Sequence, residues 1–483
     1  MRAKIISAFL TLLVFSAAVF PIYATPMSDE QSTAIQSFVE EARRISRAPG
    51  VSVAVVTGGE THFFYTGVAN RETASTVNAD TLLDIGSSTK AFTSLGILYL
   101  EERGLLSLDD SIADHLPWLT LRHNGQPIDM QEVRLYHFLH HISGLPMDDG
   151  TSERGSLRLS VEDLVADGLA SLPGEQFIYA NTNTNILGLV IEAVSGQIYE
   201  DFMIEHILHP LGMTDTFANR ERAIATGRRA SGYVTQFIFF TKESDISNAM
   251  SIDMMPAGYF VSSARDMARW MQVQLGLAAD IPEIFHTIVP RSHEAGRSIA
   301  EPDGSFYAAG WIVSADQSFV EHGGTTLGFG SNVFLFPEEQ IGITVLSNIS
   351  GAHGTQSRPA ANIKDILDGN LNQSYSILWT FQHLDVTFTI MTVLGIALAV
   401  LFALLSLRRR KQHRRQPLTK KRIILIVFWG IMALAMAVPP LMFPWLWTRI
   451  YSFLTMAIAF ALLFSSIAWF VSSAYRSNKN PLP

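Results

Sequence analysis

The sequence predicts an α+β domain, an antiparallel sheet with helices packed on it, followed by three membrane-spanning helices. Three observations predict it. Helical periodicity and strand hairpins run in the order helix, hairpin, long mixed middle, hairpin, helix, which sets helices against an antiparallel sheet. Three charge-free apolar segments then follow near the C-terminus. Finally, 48% of residues are hydrophobic and only 16% charged, against about 25% charged in an ordinary soluble domain; the apolar excess has to be housed somewhere.

The first element is residues 1–24. Arg2 and Lys4 precede an uncharged apolar run from Ile5 to Phe20, and Ile22-Tyr23-Ala24 supplies cleavage context, the layout of a secretory signal peptide. An uncleaved anchor is the alternative, but the run is short for the ~20 residues a spanning helix needs. Residues 27–372 show no repeat or low-complexity tract and suffice for one sizeable domain. Within them "SDEQSTAIQSFVEEARRI" has helical spacing of apolar positions, and "GVSVAVVTGGETHFFYTGVA" reads as two strands around a Gly-Gly turn. Near the other end, "SNVFLFPEEQIGITVLSN" is a second hairpin and "PAANIKDILDGN" a helix. Residues 373–385 read as a short connection.

Residues 386–407, 423–447 and 450–474 are free of charge, and each is long enough to cross about 30 Å of hydrocarbon at ~1.5 Å per residue. Pro439-Pro440 should kink the second. Between the first two lies a loop, residues 408–422, that holds nine lysines and arginines. Short basic loops stay cytoplasmic. The first span therefore runs from outside to inside and leaves residues 27–372 extracytoplasmic, where a signal peptide would send them. The loop's position between two spans favours topology and contact with anionic lipid headgroups over nucleic-acid binding. Its nine positive charges against an overall −9 leave the rest of the chain near −18, with no nucleic-acid footprint. With no cysteine in the chain, disulfides, thiolate chemistry and thiolate-held zinc are excluded.

The stretch "LDIGSSTKAFTSLGILYLEERG", residues 83–104, sets an amine at the front of an apolar helix that starts near Ser87. Lysine is almost never fully buried unless something pairs with it. Ser87 and Lys90, three apart, share a helix face, whereas Ser88 points elsewhere. A serine hydroxyl becomes a nucleophile when a nearby group takes its proton, and lysine can do that only as the neutral amine. Its reference pKa of about 10.4 must then be lowered by desolvation or nearby positive charge. About two chance S-x-x-K matches are expected in a chain this long. One occurs, in a domain whose only lysines are Lys90, Lys242 and Lys364.

With two further motifs in order, "FIYANTNTNILGLVIEAVSG" and "VEHGGTTLGFGSNVFLF", the sequence resembles the serine β-lactamases and penicillin-binding proteins, and among them the class C β-lactamase-like hydrolases and DD-peptidases. Tyr179-Ala180-Asn181 stands in the place of the family's Y-x-N, and His322-Gly323-Gly324 where members carry K-T-G or H-x-G. "LHHISGLP" (139–146) and "PAGYFVSSARDMARWM" (256–271) also look familiar. H-x-G recurs at His123-Asn124-Gly125, in a polar turn, whereas His322 immediately precedes a strand pattern. The resemblance implies a β-lactamase/DD-peptidase-like fold, an antiparallel sheet flanked by helices plus an all-helical part. It implies Ser87 as the acylated nucleophile and Lys90 and Tyr179 as the groups sharing proton transfer, with the base for each step left open. Asn181 would hold Lys90 and a substrate amide, the backbone N–H groups of Ser87 and Thr325 would form an oxyanion hole, and His322, Gly323 and Gly324 would line the opposite wall. A histidine in the third motif, with a reference pKa near 6.5, lacks the permanent charge that recognises a substrate carboxylate. Ester and amide substrates both stay open.

The function implied is a membrane-anchored extracytoplasmic serine hydrolase working through an acyl-serine on small-molecule or peptide substrates of the cell envelope, without metal or cofactor. Two readings compete. His137, His140 and His141 cluster, but no H-E-x-x-H or nearby acid completes a metal-ligand set. A non-catalytic penicillin-binding sensor or envelope scaffold would keep the fold without turnover. The short cytoplasmic loop and the tail "YRSNKNPLP" leave no room for a signalling domain, and Ser87, Lys90, Tyr179 and Asn181 are all present.

Overall fold

The computed structural model describes residues 26–148, 155–236, 240–243, 254–350 and 358–375, with scattered helical positions between 390 and 405. The expected signal peptide, the basic loop, the spans at 423–447 and 450–474 and most of the span at 386–407 lie outside the described residues. Among those described, no helix is long and apolar enough to cross a membrane. The helical positions near 400 include Ile390, Val393, Leu394, Val400, Leu401 and Leu404, all exposed.

Helix α1 (Asp29–Ser46) begins at a capping box formed by Ser28 and Gln31, which satisfies two N-terminal donors reciprocally. Strands β1 (Gly50–Thr57) and β2 (Glu60–Gly67) pair antiparallel. Their two-residue turn, Gly58-Gly59, has positive φ at both positions, the geometry that matches strand twist in a tight hairpin. Strands β3 (Phe306–Tyr307), β4 (Ile312–Val313), β5 (Val320–Thr326), β6 (Phe329–Phe336) and β7 (Ile341–Ser347) follow much later in the chain. The seven form one sheet in the order β2-β1-β7-β6-β5-β4-β3, antiparallel throughout.

Both faces of this sheet are covered, and β1 shows how. Its side chains alternate, so Val51, Val53 and Val55 pack with Ile35, Phe38 and Val39 of α1 and with Ile363 and Ile366 of a helix over Arg358–Leu367. Ala54 and Val56 join the larger core on the other face. A strand buried on both faces reads as a continuous apolar run rather than an alternating one, which is why "GVSVAVVT" is buried at every position. Helices and hairpins thus sit where their periodicity predicts them. The third motif departs from expectation: His322 lies within β5, paired with Val333, rather than ahead of a strand.

Four further helices build the site. Helix α2 (Thr89–Glu102) follows a 3-10 turn over Gly86–Ser88, α3 spans Asn181–Ser195, α4 Met255–Gly258 and α5 Ala264–Gln274. Helix α2 is buried almost all round, with Phe92 stacked 3.9 Å from Trp270 of α5, and a helix apolar on every side belongs in a core. The turn that carries Ser87 is thereby fixed between the sheet and the helical layer.

Candidate active site

The two-residue strand Leu83–Asp84 leads into the turn that carries Ser87. The buried Asp84 carboxylate is held by Arg229, through bonds of 2.7 and 3.0 Å, and by Arg220. Burial alone would raise its pKa, but the two guanidiniums hold it below the ordinary value. Gly86 follows with φ +51°, and a Cβ there would lie 2.5 Å from the Thr325 nitrogen. A Cβ on Gly324 would lie 2.0 Å from Ile85 O and 2.8 Å from Ser87 N. Two glycines therefore let β5 and the turn touch backbone to backbone. Strand β4 covers β5 only at Val320 and Glu321, so the edge from His322 to Thr326 is turned toward Ser87 instead.

The twin serines separate here. Ser88 is buried, with its Oγ 3.2 Å from His322 O and 3.0 Å from Ser331 Oγ. Ser87 is half-buried, and its Oγ lies 3.1 Å from Lys90 Nζ. The Tyr179 hydroxyl is also close enough to Ser87 for the serine hydroxyl to lower its pKa.

Lys90 has no exposed surface. Its Nζ lies 2.7 Å from Asn181 Oδ1 and 2.5 Å from Ala257 O, and the Tyr179 ring centroid is 4.9 Å away. Burial lowers the amine's pKa to about 7, with Asp148 pulling in the opposite direction. A neutral amine has two hydrogens and one lone pair. As the ammonium, Lys90 donates to Ser87 Oγ, Asn181 Oδ1 and Ala257 O; as the neutral amine it can keep the two carbonyl oxygens and turn its lone pair to the Ser87 O–H. Tyr179 moves the other way, its pKa pushed above the ordinary value by burial while the Ser87 hydroxyl lowers it. Asn181 is the first residue of α3; its Oδ1 faces the amine and its Nδ2 donates to Asp148 O at 3.2 Å.

His322 is 3% exposed. Its Nδ1 donates to Gly323 O at 2.7 Å and its Nε2 accepts from the Tyr307 hydroxyl at 3.1 Å, which fixes one neutral tautomer. Burial first, and Lys90 second, push its pKa down to about 3 against the bond to Gly323. His322 and Gly324 lie on the buried face of β5, while Thr325 is exposed. Contacts thus join Ser87, Lys90, Tyr179 and Asn181, with the His322 ring 6.2 Å from that of Tyr179 and Gly324 and Thr325 packed against the turn that carries Ser87.

Several neighbours were not predicted as site residues. His141, with φ +55°, stacks on Tyr179 at 4.7 Å, and its Nδ1 accepts from Ala180 N and Asn183 Nδ2. The other histidines of that cluster bond separately, His137 Nδ1 accepting from Arg134 N and His140 Nδ1 meeting Tyr307 O. No group of three metal-ligating side chains occurs among the described residues. Tyr307, Ala257 and Asp148 carry no sequence signal of their own, although Ala257 and His141 fall within the two supporting stretches that look familiar.

A sequence model of the family described as Beta-lactamase matches residues 35–368. Protein flp of Staphylococcus aureus (strain MW2) is 28% identical over 462 residues, covering 92% of this chain and 90% of the relative. A beta-lactamase of Yersinia enterocolitica is 25% identical, over 70% of this chain and 93% of its own. Among solved structures, the octameric penicillin-binding protein homologue from Pyrococcus abyssi superposes with a TM-score of 0.62 at 25% identity, covering 70% of this chain and 77% of that one.

Proposed function

The chain belongs to the Beta-lactamase family and has the fold of its serine hydrolases, and from that premise we propose a membrane-anchored extracytoplasmic hydrolase that acylates Ser87. The observation that carries this reading is the hydrogen-bond inventory at Lys90. An amine with its pKa lowered to about 7 and three acceptors around it, Ser87 Oγ, Asn181 Oδ1 and Ala257 O, can in its neutral form keep both carbonyl oxygens and offer its lone pair to the Ser87 proton.

In the acylation step Lys90 takes the Ser87 proton as Oγ attacks the substrate carbonyl. The oxyanion forms against the backbone N–H groups of Ser87 and Thr325. Tyr179, whose proton is held more firmly than usual, relays a proton to the leaving group. The proton that reaches the leaving group is the one Lys90 took from Ser87; water then attacks the acyl-serine, giving a proton to the neutral Lys90, which passes it to the departing Ser87 Oγ as the acid leaves. Asn181 keeps the amine in line and reaches a substrate amide.

His322 bears on the choice of substrate. A buried neutral imidazole with both nitrogens engaged supplies no cation for a substrate carboxylate, and this favours esters and amides of envelope components, D-amino-acid amides among them, over carboxylate-terminated donors. The anchor is supported by the three charge-free segments, by exposed apolar helical positions between Ile390 and Leu404, and by a similarity to protein flp that runs well past residue 375.

The test is a substrate panel on the full-length chain in detergent: nitrocefin, a D-Ala-D-Ala peptide, D-amino-acid amides and p-nitrophenyl esters. Turnover of esters or amides, lost in Ser87→Ala, is the expected result. Folded protein that turns over none of the four contradicts the enzyme reading.

A further inference from the structure

Asp148 stands at the end of the described segment that passes His141, outside every motif named above. Its carboxylate Oδ2 accepts from Thr182 N at 3.0 Å, while its main-chain oxygen accepts from Asn181 Nδ2 at 3.2 Å. One residue thus grips both the first turn of α3 and the side chain that holds the Lys90 amine. The Asn181 bond goes to the backbone, so what the Asp148 side chain contributes is the tether that holds that backbone in place.

We propose that Asp148 is a positioning residue of the acylation machinery: its carboxylate, tied to the first turn of α3, sets its own carbonyl against Asn181 and so holds the side chain that holds the Lys90 amine. The proposal rests on Ser87 and Lys90 acting as described above. Asp148 acts on both Lys90 and Tyr179 electrostatically, favouring the protonated form of each. The other titratable groups facing the amine are the rings of Tyr179, His141 from the loop before Asp148, and His322 from β5. Burial keeps both imidazoles neutral and Tyr179 protonated.

The two functions of the side chain come apart in substitution. Asp148→Asn keeps an oxygen for Thr182 N and removes the charge; Asp148→Ala removes both; Asp148→Glu restores the charge on a longer arm. The rate at which a fluorophosphonate labels Ser87 is measured from pH 5 to 9 on the full-length chain. Asp148 favours the protonated form of Lys90, so Asp148→Asn should move the midpoint of the rate profile down. Asp148→Glu should return it toward wild type. Asp148→Ala should show the same downward shift and, with Asn181 less well held, a plateau about tenfold below that of Asp148→Asn. An Asp148→Asn midpoint equal to or above wild type overturns the charge, and equal plateaus for the Asn and Ala variants overturn the tether. A wild-type chain that is not labelled at Ser87 overturns the hydrolase reading together with this one, an outcome distinct from altered profiles in the variants alone.

Discussion

Lysine 90 gives the sharpest prediction, because its role depends on the amine being neutral where an ordinary lysine is not. With a pKa of about 7, roughly one amine in eleven is neutral at pH 6 and about ten in eleven at pH 8, so a rate that needs the free base rises about tenfold between them and levels off. An unperturbed lysine near 10.4 gives about a hundredfold rise over the same interval, with no plateau below pH 9. The assay is pseudo-first-order labelling by a fluorophosphonate, with the Ser87→Ala chain as the blank for probe hydrolysis. Lys90→Arg keeps a cation that does not give up its proton and should label about 10²–10⁴-fold more slowly, the usual contribution of a positioned base. A flat profile, a hundredfold rise without a plateau, or an Arg variant as fast as wild type would refute the assignment of Lys90 as base.

The same displaced pKa has a stability signature. Because the folded value lies below the unfolded one, the unfolded chain binds the extra proton between about pH 7 and 10. Lys90 therefore adds stability as pH rises through that window, at about 1.4 kcal/mol per unit, and urea melts of Lys90→Met should lack that slope. Asp84→Asn should lower unfolding free energy by about 3–5 kcal/mol, the usual cost of stranding a buried charge, since Arg220 and Arg229 lose their shared carboxylate; a change below about 1 kcal/mol in denaturant melts contradicts this. Gly324→Ala puts a methyl 2.0 Å from Ile85 O and should cut labelling of Ser87 at least about a hundredfold, whereas Ser88→Ala, which loses only hydrogen bonds to Ser331 and the strand, should cost about 1 kcal/mol in stability and still label. Alkaline carbonate washing should leave the full-length chain in the membrane pellet, and its appearance in the supernatant contradicts the anchor.

What could be read in advance was what repeats locally. Helix α1 and the β1–β2 and β6–β7 hairpins follow from apolar spacing and Gly-Gly or polar turns within a few residues, and Ser87 and Lys90 meet because three residues make nearly one helical turn. Tyr179 and Asn181 were legible only through the motif they form. Ala257 was not, because its carbonyl reaches Lys90 across 167 residues of sequence, and main-chain acceptors leave no mark on residue type. Tyr307 sits on a two-residue strand, too short for a period, and the neutrality of His322 is a property of its burial. Asp148 looks like a polar loop residue until α3 is placed against it.

The central claim, acylation at Ser87, is tested most directly by mass spectrometry of the full-length chain after treatment with a fluorophosphonate or a fluorescent penicillin. One adduct is expected, mapped by fragmentation to Ser87 rather than Ser88 and absent from Ser87→Ala. An adduct on any other residue, or folded protein that forms none with either probe, would contradict it.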